Sequence, residues 1–168
     1  GLLCALACLA APAVAADMRQ HDFEVLLDGK PIGSHSFRVT TDADGTERVQ
    51  STANFQVKLL GITLYRYQHR ADEHWTGGCL QRIDASTNDN GRRLEVRGTR
   101  TNEAFRLERP APDMERAGCI STYAYWAPQR LLRQSELLNP QTGKFETVQF
   151  EDLGEEIVET ASGRRNAR

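Results

Sequence analysis

Long apolar runs are missing from this 168-residue chain: no segment reaches the roughly 20 apolar residues that a membrane-spanning helix needs. No G-x-S-x-G elbow, P-loop or Rossmann fingerprint is present, so nucleophile-elbow, nucleotide and dinucleotide chemistry have no footing in the sequence. There is also no basic stripe. The 21 Lys and Arg are interspersed with 23 Asp and Glu for a net charge of −2, which argues against tracking a phosphate backbone. A long helix pattern, a repeat of fixed period and an inter-domain linker are absent as well. Nothing in the sequence calls for a cofactor. The partner classes left are a small molecule, another exported protein, or none that is specific.

What is present begins at the N-terminus. Leu2 to Ala11 is uncharged and apolar, leads into the small residues Pro12 to Ala16, and gives way to Asp17-Met18-Arg19. This is the h-region and cleavage site of a secretory signal peptide, expected over residues 1–15 and cut after Ala15 or Ala16. The leader has no Met and no basic n-region, so it reads as clipped at its start. A buried N-terminal helix and a lipid anchor on Cys8 are alternatives that fit the pattern less well. The expected location is the periplasm. About 150 residues then remain, enough for one domain with its own core. Of four cysteines, Cys4 and Cys8 leave with the leader. Cys79 and Cys119 are candidates for a disulfide in an oxidising compartment, with two independent buried thiols as the alternative.

Strand signals dominate the mature chain. His21–Leu27 and Ile32–Thr41 read as a hairpin around Asp28-Gly29. From Arg48 to Leu60, Val49, Ser51, Ala53, Phe55, Val57 and Leu59 alternate with polar residues, which predicts a strand with one buried face. Ile62–Thr76 alternates in the same way, with Tyr65, Tyr67, His69, Ala71, Glu73 and Trp75 on one side. Turns at Gly77-Gly78 and Asn88-Asp89-Asn90-Gly91 bracket a strand from Cys79 to Thr87, and Arg92–Gly98 returns from it. Further strands are expected near 102–109, 144–150 and 153–160, and a short helix with proline in its first turn near 128–138. The fold class is all-β: an antiparallel meander curled into a barrel or half-barrel, as one β-rich domain over 16–160. The basic residues 161–168 read as a disordered tail.

Two groups of residues invite functional readings. His69, Glu73 and His74 lie in the richest polar cluster. Their spacing fits no helical zinc motif, and on a strand His69 and Glu73 face one way while Asp72 and His74 face the other, so no metal site is assigned. A hydrolase or isomerase using His69, Glu73 and His74 is the third-ranked function. The aromatics Tyr65, Tyr67, Trp75, Tyr123 and Trp126 combine flat apolar bodies with polar tips. With Phe55, Val57 and Leu59 they form the candidate ligand-binding set. Ordinary core packing competes with that reading.

Several blocks together are similar to a known family. They are Phe23 to Gly33, Tyr65-Arg66-Tyr67-Gln68-His69, Trp75-Thr76-Gly77-Gly78, Ser86 to Gly91, Tyr123-Ala124-Tyr125-Trp126 and Leu137 to Gly143. The pattern resembles an exported bacterial family catalogued as a domain of unknown function, number 6134, over about Phe23 to Glu159. The resemblance implies an exported β-rich protein and carries no catalytic residues. It also implies further strands after Glu156, so the chain reads as truncated at its C-terminus. The leading functional expectation is a periplasmic binding module for a lipid-like or other hydrophobic molecule, with small inward residues such as Ala53 leaving room for it. The alternative is an interaction or scaffold protein with a solid core, meeting its partner through Tyr123-Ala124-Tyr125-Trp126.

Overall fold

The structure, a computed structural model, describes residues 16–160 and 162–167. The leader expected over 1–15 lies outside the described residues. Eight strands pair in chain order, each antiparallel to the next: β1 (Asp17–Leu27), β2 (Lys30–Thr41), β3 (Glu47–Leu59), β4 (Ile62–Thr76), β5 (Cys79–Asp89), β6 (Arg92–Arg100), β7 (Phe105–Glu108) and β8 (Met114–Arg116). The meander follows from its turns. Asp28-Gly29, Leu60-Gly61 and Asn90-Gly91 each place both residues at positive φ, the two-residue turn whose twist matches that of paired strands.

The sheet stays open. Among the described residues β1 pairs only with β2 and β8 only with β7, so of the barrel or half-barrel expected the barrel is not closed. The cause lies in what covers the apolar face. Phe37 and Val39, Val49, Ala71 and Trp75, Ile83 and Ala85, Val96, and Phe105 and Leu107 project from successive strands into one core. The facing layer is the chain after β8, which contributes Ile120, Ala124, Trp126, Leu131, Leu137 and Leu138. A return segment laid across the sheet buries what closure would otherwise have to bury.

That segment is pinned at several points. Cys79, at the start of β5, is disulfide-bonded to Cys119, and next to it the Leu80 N–H donates to the Ile120 carbonyl at 2.9 Å. Helix α1 is a single turn, Pro128–Leu131, with Leu131 as its buried residue. Arg130 reaches from it to the buried Glu47 at 2.6 Å, and Arg19 stands 3.6 Å from the other Glu47 oxygen.

The helix expected to run to 138 stops early. Leu137 and Leu138 are both fully buried in β9 (Glu136–Leu138), which pairs with β10 (Phe145–Thr147). Adjacent buried leucines suit a strand with core on both faces, whereas a helix would turn one of them about 100° away. Beyond Phe150, β11 (Glu156–Thr160) and β12 (Gly163–Ala167) form a separate hairpin. Residues 163–167 are thus strand, not the structureless tail expected. Their charge is set against acidic β11, with Arg164 opposite Glu159 at 3.8 Å.

Candidate functional site

Strand register assembles the site. On the covered face, His35 of β2, Ala53 of β3, His69 of β4 and Thr87 of β5 lie side by side in one row. The row toward the β3–β4 turn holds Gly33, Phe55, Tyr67 and Asp89, and the row on the other side holds Phe37, Ser51, Ala71 and Ala85. Three small residues of the cavity lining, Ser51, Ala53 and Ala71, adjoin one another on β3 and β4. Over them lies a cavity of about 300 Å³. His35, Ser51, Ala53, Phe55, Tyr67 and His69 form its floor, and Tyr123, Tyr125, Trp126, Asn139 and Glu146 form its roof.

The floor is polar but nearly free of charge. His35 Nε2 meets Ser51 Oγ at 2.8 Å, and His69 Nδ1 meets Thr87 Oγ1 at 2.8 Å. Burial lowers the pKa of both imidazoles, that of His69 to about 4 with a further contribution from His35, so both are neutral at pH 7. Glu73 lies deeper on the same strand face. Its Oε2 accepts from Trp75 Nε1 at 3.0 Å and from Thr122 Oγ1 at 3.2 Å. Complete burial outweighs these bonds and lifts its pKa to about 7.

Aromatic rings shape the rest. Phe55 and Tyr67 stack with centroids 5.0 Å apart and planes 10° apart. Trp126 packs 5.5 Å from Phe37 and edge-on to Trp75 at 5.7 Å. In the roof, the Tyr123 hydroxyl donates to Glu146, whose other oxygen accepts from Asn139 Nδ2 at 2.8 Å. The bond to Glu146 pushes the Tyr123 hydroxyl up to about 12. Two of the residues that line the cavity carry a buried donor with no hydrogen-bond partner among the described residues: the Tyr67 hydroxyl and Trp126 Nε1. Native interiors rarely leave such groups unpaired.

Of the residues singled out from sequence, Phe55, Tyr67, Tyr123 and Trp126 line the cavity. Val57 and Tyr65 are half-buried on the same face nearer the β3–β4 turn, where the Tyr65 hydroxyl donates to Asp89 at 2.7 Å. Leu59 is exposed, and Trp75 is fully buried core beneath the site. His69 and Glu73 share the covered face while His74 is exposed on the other, so the three do not gather. Among the described residues no three His, Cys, Asp or Glu come together as a metal site. Sequence reasoning missed His35, Ser51 and the roof residues Asn139 and Glu146. His35 was findable, because the β2–β3 turn sets it opposite Ala53; the turn at 139–143 carries no periodic signal.

A family model described as Domain of unknown function (DUF6134) matches residues 23–168. The chain belongs to the DUF6134 family. No curated protein and no solved structure matches it. Every cavity residue, from His35 to Glu146, falls inside the DUF6134 match. The site is therefore built wholly from the family's domain.

Proposed function

We propose that this DUF6134 protein is an exported binding module of the periplasm, whose sheet curls around a small, largely apolar, ring-bearing molecule that carries hydrogen-bond acceptors. The observation behind this reading is one aromatic-lined cavity whose wall residues include two buried donors, Tyr67 OH and Trp126 Nε1, with no acceptor among the described residues. A ligand acceptor that drew these side chains toward the cavity would satisfy both. Neutral imidazoles and stacked rings favour an uncharged or delocalised body over an ionic one. At about 300 Å³ the space lies at the small end of ligand sites, which suits a ring system or one short chain and not a whole phospholipid. The Cys79–Cys119 bond fits an oxidising compartment outside the cytosol.

The scaffold reading draws less support. In Tyr123-Ala124-Tyr125-Trp126 only Tyr125 is exposed; Trp126 and Ala124 are buried and Tyr123 is half-buried.

Titration with 6-propionyl-2-(dimethylamino)naphthalene, an uncharged ring probe with a carbonyl acceptor, tests the proposal. Ala53→Leu fills the cavity floor and is expected to weaken probe binding about tenfold or more. Tyr67→Phe is expected to weaken it several-fold while leaving the fold intact. Native mass spectrometry of protein from lipid-rich cells is expected to show a retained small molecule. Probe binding indifferent to both substitutions, together with a clean apo mass, overturns the reading.

A further inference from the structure

The β3–β4 hairpin stands clear of the sheet that carries it. β2 pairs with β3 only as far as Phe55, and β5 pairs with β4 only as far as Tyr67. β3 and β4 go on pairing with each other, from Val57↔Tyr65 to Leu59↔Ile62. A two-stranded ribbon therefore projects beyond β5 and separates from β2, which runs on to Lys30 paired with β1. Leu59, Leu60, Ile62 and Leu64 on it are 61%, 94%, 66% and 54% exposed. Single exposed leucines are ordinary, but a cluster of large aliphatics on one projecting ribbon marks a contact surface.

The turn itself points the same way. Leu60 and Gly61 sit at φ 50° and 81°. The equivalent turns at the same end of the sheet use Asp28-Gly29 and Asn90-Gly91, with the short polar residues that tolerate left-handed backbone. At Leu60 the chain forgoes that tolerance and sets an isobutyl group at the outermost point of the ribbon. Neither core packing nor turn propensity accounts for a leucine there, and local strain of this kind is a pointer to function.

Charge selects the partner. Lys58 and Arg66 flank the ribbon, Lys30 follows the β1–β2 turn, and Arg92 and Arg93 follow the β5–β6 turn. Antiparallel pairing in chain order brings all three turns to one end. All five cations are exposed, and among the described residues none of them has an ion pair. Elsewhere on the sheet Arg70, Arg97, Arg106 and Arg116 are each matched to a carboxylate. The carboxylates at this end are Glu24, Asp28 and Asp89, fewer than the five cations, and Asp89 accepts from Tyr65. An apolar prong within a collar of unpaired cations is the chemistry of insertion among anionic headgroups.

We infer that the Leu59–Ile62 tip docks this protein on an anionic phospholipid bilayer, with the aliphatic side chains entering the interface and Lys58 and Arg66 lying on phosphate. This stands independently of what the cavity binds. Flotation with vesicles of phosphatidylethanolamine and phosphatidylglycerol, compared with phosphatidylcholine alone, tests it on the full chain. Every variant keeps the same N-terminus, so differences between variants report the hairpin. The wild type is expected to float with the anionic vesicles and to be released by salt. Leu60→Asp is expected to cut partitioning about tenfold or more. Leu60→Asn suits the turn better, so it is expected to raise Tm while also cutting partitioning several-fold. Variants that float like the wild type overturn the inference. So does a wild type that ignores vesicles, including one that forms a dimer which Leu60→Asp dissolves.

Discussion

Tyr67 lies flat against Phe55, with centroids 5.0 Å apart, while its hydroxyl is buried without a hydrogen-bond partner in the protein. The ring and the hydroxyl thus have opposite effects on the fold. The ring buries apolar area against a parallel neighbour; the hydroxyl loses water and gains nothing. Burial also raises the hydroxyl's pKa, so it stays a neutral donor at every physiological pH.

Tyr67→Phe keeps the ring and removes the unpaired group. An unsatisfied buried hydroxyl costs about 1–3 kcal/mol, so the variant is expected to be as stable as the wild type or more stable by about 1 kcal/mol. Urea unfolding of the ligand-free protein reads this. A clear loss of stability would show that the hydroxyl already has a partner.

Glu73 and His69 give opposing pH effects. The raised Glu73 pKa means the folded state holds its proton longer than the unfolded chain, so stability falls as pH rises from about 4.5 to about 7. The lowered His69 pKa means the folded state resists protonation, so stability falls as pH drops from about 6.5 to about 4. The two partly cancel in the wild type. Glu73→Gln is expected to raise Tm above pH 7 and expose the acid-side loss due to His69. His69→Gln is expected to reduce the acid-side loss to the part due to His35 and leave the alkaline-side loss in place. Tm measured from pH 4 to 8 for each variant separates them.

The Cys79–Cys119 bond joins positions 40 apart in sequence and ties the sheet to its cover. The Cys79→Ala, Cys119→Ala double variant is expected to lose about 2–4 kcal/mol. Thermal unfolding checks this, and reduced wild type is expected to match the variant.

Arg130 meets Glu47 at 2.6 Å, and Glu47 is buried. Arg130→Ala leaves that carboxylate with Arg19 alone, at 3.6 Å. A loss of about 1–3 kcal/mol is expected. Glu47→Gln in the same background is expected to restore part of it, a double-mutant coupling that urea unfolding measures.

The sheet was readable because its information is local. Val49 to Leu59 and Tyr65 to Trp75 alternate strictly, and each tight turn fixes the register of the next strand. The faces of His69, Glu73 and His74 followed from that alternation alone. The cover was not readable. Ile120, Trp126 and Leu137 are buried by strands many tens of residues upstream, and no period within 117–150 encodes such contacts. Leu131, Leu132, Leu137 and Leu138 mimic helical spacing, yet the second pair is strand. The site suffered most from this, because half its wall comes from the cover: Phe55 and Tyr67 were legible from alternation, whereas Asn139 and Glu146 needed the tertiary structure.

The division between sheet and cover also sets an order of events. Each sheet strand pairs with its predecessor, so no hairpin of the sheet needs a strand that lies further along the chain. The last wall residue, Glu146, lies 70 positions after Thr76, where β4, the last strand of the floor, ends (146 against 76). A guest held between them can therefore be enclosed only once the cover has folded back over the sheet, which makes occupancy a mark of maturation.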